Sequence, residues 1–189
     1  MSSAPEVFGV AVLGATGYIG SPYRKEIREC PEEAKIVSLG GRRLDVLQAA
    51  AEEDGAAFFS DDWLRVIDHP GVNLVLVCTP DALHHEAVMA CAERGLHLLC
   101  EKPLAMDTAE GEEMCDAVEK AGVANIVWYN YRRVPAVTLA KQLIDEGRLG
   151  RIFHYRANFL QDWTISTDLP QGGEALWRLD AKAAGSGVT

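Results

Sequence analysis

A short apolar run that ends in a glycine-rich turn is the feature that most constrains the fold of this chain. Residues 7–13 have the length and composition of a buried strand. The turn Gly14-Ala15-Thr16-Gly17-Tyr18-Ile19-Gly20 follows, and apolar residues then recur at helical spacing. Strand, glycine turn and helix in this order open a dinucleotide-binding unit, in which small residues let the backbone approach a pyrophosphate.

The glycine spacing departs from the usual fingerprint. It is G-x-x-G-x-x-G instead of G-x-G-x-x-G, and Ala15 stands where the first fingerprint glycine would be. Two interpretations stay open: a pyrophosphate-binding loop, or a turn whose glycines serve packing alone. The residues expected to line such a loop are Gly14, Thr16, Gly17, Tyr18, Ile19 and Gly20.

Composition narrows the class of protein. The chain has 189 residues, 48% of them hydrophobic, and a formal net charge of −10. This acidic balance argues against nucleic acid or an anionic membrane as the main partner. The five cysteines form no C-x-x-C pair, which favours a reducing compartment, and neither a signal peptide nor a membrane-spanning run is visible. We expect a cytoplasmic protein without a metal centre.

Apolar runs alternate with helical patterns along the first two thirds of the chain. Beyond the first run they occupy residues 34–39, 56–59, 72–78, 96–100 and 124–128, and Asp61 and Asp107 are candidate helix caps. This alternation predicts an α/β fold, a Rossmann-type doubly wound parallel sheet over residues 5–128.

The pattern changes near residue 130. A helical pattern runs to Gly147, and residues 151–163 are rich in aromatic and β-branched side chains, as in a strand of a different sheet. We predict that residues 129–189 begin a second, α+β domain that is incomplete at residue 189. Residues 132–156 are locally basic, which indicates either a solvated face or a region that faces an anion.

A charged triplet follows the fifth predicted strand. Glu101-Lys102-Pro103 lies at the carboxyl edge of the sheet, where open α/β sheets bind ligands. A lone lysine after a strand is most often only solvated. The neighbouring Pro103, which fixes the backbone, and Glu101, a counter-charge, favour a functional lysine.

Three motifs taken in order resemble those of the Gfo/Idh/MocA family, the glucose–fructose oxidoreductase and inositol dehydrogenase group. They are Glu101-Lys102-Pro103, Thr79-Pro80-Asp81 with His84, and Asn130-Tyr131-Arg132-Arg133-Val134-Pro135. The resemblance implies NAD(P)-dependent hydride transfer between nicotinamide and a secondary alcohol of a sugar, polyol or inositol-like substrate. It also implies a homo-oligomer for a full-length form.

The resemblance carries roles onto single residues. It makes Lys102 catalytic and places it in contact with the nicotinamide cofactor and the substrate hydroxyl. A lysine there can accept the alcohol proton or stabilise the developing alkoxide. We expect Glu101 to orient Lys102 or the cofactor. Further residues implied at the cofactor or substrate are Thr79, Pro80, His84, Arg132 and, facing the substrate, Trp163, Trp177 and Arg178. For His84, packing is an equal alternative to cofactor contact.

The end of the second predicted strand bears on cofactor choice. An acidic residue there would hydrogen-bond the ribose 2′-hydroxyl of NAD. The segment 37–43 has no acid and carries Arg42 and Arg43, which favours the 2′-phosphate of NADP.

The family's D-x-x-x-H residues follow a glycine-rich turn that matches residues 184–187, and their positions would lie beyond Thr189. Three interpretations follow. The chain is part of a dehydrogenase, a non-catalytic NAD(P)-binding or regulatory module, or a relative of semialdehyde reductases with Cys100 as nucleophile. The position of Cys100 inside a strand disfavours the third.

Overall fold

The computed structural model describes residues 7–160 together with residues 180 and 182. The chain divides into two compact units, Met1–Trp128 with Ala181–Thr189, and Tyr129–Asp180. Within the described residues, no helix combines the length and the apolarity needed to cross a bilayer.

The first unit is built on a six-stranded sheet in the order β3-β2-β1-β4-β5-β6, and every neighbouring pair is parallel. Its strands are β1 (Phe8–Leu13), β2 (Ala34–Gly40), β3 (Phe58–Ser60), β4 (Leu74–Val77), β5 (His97–Cys100) and β6 (Asn125–Val127). Its helices are α1 (Gly20–Glu29), α2 (Leu44–Asp54), α3 (Trp63–Ile67), α4 (His84–Glu93) and α5 (Thr108–Ala121), and a 3-10 turn, Asp81–Leu83, precedes α4. The predicted Rossmann-type sheet is confirmed.

Two buried clusters lie on the two faces of this sheet. Ala11 and Leu13 of β1 pack with residues of α3, α4 and α5, whereas Val10 and Val12 pack with residues of α2. Neighbouring residues of a strand point to opposite faces, so a strand that is buried on both sides is apolar throughout. This explains the uninterrupted apolar runs in the sequence.

The helix caps differ from expectation at one position. Asp107 caps α5 as predicted, and its side chain accepts the N–H of Glu110 at 3.0 Å. The prediction of Asp61 as the cap of α3 is wrong by one residue. Asp62 accepts the N–H of Leu64 at 3.1 Å, because the Ser60 hydroxyl accepts the N–H of Asp62 and places that residue at the cap.

The second unit contains a 3-10 turn, Asn130–Arg133, and helix α6, Pro135–Asp145. The strand predicted over residues 151–163 is wrong for residues 151–160, which form no strand, and residues 161–163 lie outside the described residues. A strand requires a hydrogen-bonded neighbour, and the described part of this unit offers none. Phe153, Tyr155 and Leu160 are correspondingly 84%, 83% and 90% exposed.

Candidate functional site

The glycine turn connects β1 to α1 at the point where the strand order reverses. β1 lies between β2 and β4 in the sheet, and the loops that follow β1 and β4 flank the crevice where doubly wound folds bind ligands. The N–H groups of Gly14 and Ala15 both donate to the carbonyl of Gly40 at 3.0 Å. The turn is thereby fixed to the carboxyl end of β2.

The irregular glycine spacing has a structural explanation. Gly14 adopts a φ of +75°, and a Cβ there would lie 2.4 Å from the carbonyl oxygen of Cys78. A Cβ on Gly20 would lie 2.3 Å from the carbonyl oxygen of Gly14. Ala15 is buried in an ordinary backbone conformation. The tight turn is therefore made by Gly14, and the position of Ala15 does not require a glycine.

The backbone N–H groups at the start of α1 bear on whether the loop binds an anion. Gly17 and Tyr18 are exposed. In the part of the chain that is described, the N–H groups of Tyr18, Ile19 and Gly20 have no backbone acceptor. The first turn of α1 also carries no acidic side chain. Unpaired N–H groups at a helix N-terminus favour an anion, so the loop fits a pyrophosphate.

Thr79, two residues after the end of β4, provides a second indication of a ligand. Its hydroxyl oxygen is buried and has no hydrogen-bond partner among the described residues. Buried polar atoms are nearly always satisfied, and one left unpaired at the ligand edge of a sheet is explained by a group that binds there. Thr79 also lies beside the turn, because its N atom is 3.2 Å from where a Cβ on Gly14 would lie.

His84 connects the two segments that follow β4 and β5. It is fully buried; its Nδ1 lies 2.8 Å from the carbonyl of Pro103 and its Nε2 lies 3.0 Å from the carbonyl of Thr79. Both ring nitrogens are thus engaged by the backbone. These contacts favour the packing alternative for His84, and direct contact with a cofactor stays a prediction.

The Glu101-Lys102-Pro103 segment extends from β5 and contains a cis peptide bond before Pro103. Glu101 is half-buried, and its Oε1 accepts the hydroxyl of Tyr23 at 2.6 Å. Its Oε2 accepts the backbone N–H of Lys102 at 3.1 Å. The carboxylate is therefore held by a tyrosine and a backbone amide.

Lys102 itself is exposed. Among the described residues, no carboxylate forms an ion pair with its ammonium group. Its side chain is free to meet a ligand at the carboxyl end of β5, and its catalytic role stays a prediction.

Sequence reasoning missed Tyr23. Its spacing from Ile19 and Ile27 indicated only the apolar face of α1. Burial and the adjacent Glu101 carboxylate raise the pKa of the Tyr23 hydroxyl well above its usual range, so the group remains a donor. Nothing in the local sequence pattern distinguishes such a tyrosine from a core residue.

The turn after β2 carries the residues that bear on cofactor choice. Ser38 is buried and donates to the carbonyl of Val66 at 2.8 Å, so its hydroxyl faces the core. Arg42 and Arg43 are exposed, and neither forms an ion pair with another described residue. Gly41 packs beside Thr16 of the glycine loop. The two arginines are free to bind an anion.

Cys78 and Cys100 argue against thiolate chemistry at the ligand edge of the sheet. Burial raises the pKa of the Cys100 thiol to about 12 and also raises the pKa of the Cys78 thiol. A thiol that stays protonated is a poor nucleophile. The interpretation of Cys100 as the nucleophile of a semialdehyde reductase is disfavoured. Among the described residues, no cluster of His, Cys, Asp and Glu could hold a metal ion.

Arg132 belongs to the second unit. It is exposed in the 3-10 turn, and its carbonyl accepts the Thr138 hydroxyl at 3.2 Å. Part of the local basic charge is neutralised within this unit, since Lys141 pairs with Asp145 at 2.6 Å. The role of Arg132 at the cofactor stays a prediction, and the predicted substrate residues Trp163, Trp177 and Arg178 lie outside the described residues.

Comparison with known proteins agrees with this geometry. A model of the Gfo/Idh/MocA oxidoreductase family, NAD-binding Rossmann fold, matches residues 8–131, and the C-terminal domain model of the same family matches residues 137–189. A levoglucosan dehydrogenase of Pseudarthrobacter phenanthrenivorans is 43% identical over 139 residues, which are 74% of this chain and 35% of that protein. A scyllo-inositol 2-dehydrogenase (NAD(+)) of Bacillus subtilis is 31% identical over 77% of this chain and 42% of that protein.

A solved levoglucosan dehydrogenase in complex with NADH and levoglucosan superposes with a TM-score of 0.84 at 34% identity. The match covers 96% of this chain and 50% of that one. The chain therefore spans about half the length of the relatives that it matches.

Proposed function

Because the chain belongs to the Gfo/Idh/MocA oxidoreductase family, we propose that it provides the cofactor site and the catalytic lysine of a dehydrogenase. The reaction is hydride transfer between a nicotinamide dinucleotide and a secondary alcohol of a sugar, polyol or inositol-like substrate. Residues 129–189 begin the substrate domain. The observation that carries the proposal is the position of Lys102. It follows β5, has no ion-pair partner among the described residues, and belongs to the same sheet as a glycine loop whose amides have no backbone acceptor.

The residues of this chain would have different roles in cofactor binding and catalysis. The amides of Tyr18, Ile19 and Gly20 bind the pyrophosphate, and the Thr79 hydroxyl gains the partner that it lacks. The bound nicotinamide supplies the hydride acceptor or donor. Lys102 orients the substrate hydroxyl and takes up or returns its proton.

Relatives support a sugar-like substrate by their names, which specify levoglucosan and scyllo-inositol. The cytoplasmic location, the homo-oligomer and the role of Arg132 belong to the same proposal. The alternative is that this chain is a module that binds the cofactor without catalysing a reaction. The assays below distinguish an active dehydrogenase from such a binding module.

The first experiment tests the cofactor and its choice. We expect the protein to bind NADPH more tightly than NADH, because Arg42 and Arg43 are free to bind a 2′-phosphate. Fluorescence titration of wild type and of Arg42→Ser/Arg43→Ser measures this, and the double variant should lose about tenfold in NADPH affinity with NADH affinity unchanged.

Arg65→Ser, an arginine on α3 whose guanidinium lies over the ring of Phe58, is the control. Equal or tighter NADH binding by wild type would contradict the NADP preference while leaving the dinucleotide site intact. The NADH bound to the solved levoglucosan dehydrogenase makes this comparison necessary.

The second experiment tests Lys102. Nicotinamide reduction is followed with a panel that includes levoglucosan and scyllo-inositol. Lys102→Ala should lower kcat by about 10²–10⁴-fold, the usual contribution of a positioned acid–base group, with cofactor affinity retained. Lys120→Ala, an exposed lysine in the last turn of α5, is the control. Cofactor binding without turnover by wild type would favour the binding-module alternative.

A further inference from the structure

We propose that Tyr23 is a positioning residue that fixes the Glu101 carboxylate and thereby links the helix of the glycine loop to Lys102. This inference rests on the proposed function for its consequence in catalysis. The positioning contact itself is observed between residues of the first unit.

The two oxygens of Glu101 have separate tasks. Oε1 accepts the Tyr23 hydroxyl at 2.6 Å, and Oε2 accepts the N–H of Lys102 at 3.1 Å. Hydrogen bonds to an ionised carboxylate are short and strong. With both oxygens engaged, the carboxylate has one orientation, and it holds the backbone at Lys102 from the side of α1.

Tyr23 is itself held in place. Its ring packs against that of Trp128 with centroids 4.9 Å apart, and the N–H of Trp128 donates to the carbonyl of Cys100 at 2.9 Å. Cys100 directly precedes Glu101. The tyrosine ring and the segment that it binds are thus fixed to the same end of β6, which limits the directions in which the hydroxyl can point.

The position of Tyr23 along the chain gives the contact its consequence. Tyr23 lies in the first turn of α1, three residues after Gly20, at the helix end where the pyrophosphate is proposed to bind. A ligand that orders this helix end also orders the tyrosine hydroxyl, and through Glu101 the amide of Lys102. Cofactor binding and lysine placement are then coupled through a single side chain.

Amide hydrogen exchange of Lys102, measured by NMR, tests the link without reference to turnover. Tyr23→Phe retains the ring and its packing on Trp128 but removes the donor. We expect exchange of the Lys102 N–H to accelerate by about tenfold, because the freed carboxylate no longer holds that amide in place. Saturating dinucleotide should slow this exchange in wild type and not in Tyr23→Phe.

Three further variants complete the design. Glu101→Ala should accelerate the same amide, and Tyr23→Phe/Glu101→Ala should add nothing further, as expected for one shared pathway. Tyr155→Phe, which alters an exposed tyrosine, should leave it unchanged. Exchange at Leu76 in the buried β4 reports global stability and separates local release from partial unfolding.

Two outcomes overturn different claims. Unchanged Lys102 exchange in Tyr23→Phe would show that the tyrosine only packs, and would overturn the inference. Failure of wild type to bind any nicotinamide dinucleotide would overturn the proposed function, while exchange in the ligand-free protein would still test the positioning contact. In an active enzyme, the expected signature is a lower kcat with a smaller loss of dinucleotide affinity, because a coupling between two equilibria acts in both directions.

Discussion

Among single residues, the buried Arg24 stabilises the glycine loop through contacts with the loop and with α2. The Arg24 side chain is 5% exposed and pairs with Asp54, whose carboxylate is fully buried. It also donates to the carbonyls of Ala15 at 3.3 Å and Ala50 at 3.2 Å. Arg24 therefore connects α1, α2 and the loop. Arg28 also pairs with Asp54, so this buried carboxylate has two cationic partners, and breaking part of such a buried network is costly.

We expect Arg24→Met to lower the free energy of unfolding by about 3 kcal/mol, near the lower limit for breaking a buried pair, because Arg28 still pairs with the buried Asp54 carboxylate. Urea denaturation measures this. Arg24→Met/Asp54→Leu should recover most of the loss, as apolar replacement of a buried pair usually does. Arg94→Met, which breaks the exposed pair with Asp68, should stay within about 1 kcal/mol of wild type. A similar cost for both arginines would contradict a special role for Arg24.

At the scale of elements, the loop between β1 and α1 uses its glycines for different purposes. Gly14 and Gly20 are required by close backbone contacts, as the distances to a Cβ show. Gly17 is exposed, and its Cβ would lie 3.2 Å from the carbonyl oxygen of Gly14 alone. The absence of a side chain at Gly17 is therefore more important for ligand binding than for folding.

We expect Gly17→Ala to lower the free energy of unfolding by no more than about 1 kcal/mol, because one close contact, 3.2 Å to the carbonyl oxygen of Gly14, has to adjust. Its added methyl group should raise the dinucleotide dissociation constant by about tenfold, or 1.4 kcal/mol. Gly20→Ala should lower both the stability and the dinucleotide affinity, and its overpacking should cost about 1–3 kcal/mol of stability. Thermal unfolding and fluorescence titration measure the two effects.

Gly111→Ala on α5 is the control for helix propensity. Its Cβ would make ordinary contacts, 3.7 Å from Leu104 and 3.8 Å from Ala105. We expect it to stabilise the protein by about 0.5–1 kcal/mol. Dinucleotide binding by Gly17→Ala equal to that of wild type would refute the role of this position.

At the scale of the whole molecule, apolar exposure is concentrated in the second unit. The described part of α6 has no buried residue, and Phe153, Tyr155 and Leu160 are more than four-fifths exposed. Large exposed apolar side chains favour association with another surface.

We therefore expect the 189-residue chain to self-associate, with an apparent mass that rises with concentration in size-exclusion chromatography with light scattering. Phe153→Ser/Leu160→Ser should shift the distribution toward monomer, because it removes two of the most exposed apolar groups. Leu64→Ser, an isolated exposed leucine on α3, should not. A monodisperse wild-type monomer would contradict this prediction.

The elements of the first unit and the ligand edge of its sheet follow from residue order and spacing. Apolar runs indicate burial on both faces and glycines indicate tight turns. A lysine two residues after the end of a strand must lie near that strand's carboxyl end. These are local properties, which is why β1, α1 and the position of Lys102 could be derived from order and spacing alone.

Contacts between side chains that are distant in the sequence depend on how the elements pack. Tyr23 and Arg24 are neighbours on α1, yet one binds Glu101 and the other binds Asp54, because successive helix positions point in different directions. Residues 151–160 have the composition of a strand but form none, since pairing depends on a neighbour that no local pattern contains. Periodicity encodes what is buried, whereas contact between segments depends on how the packed elements bring their faces together.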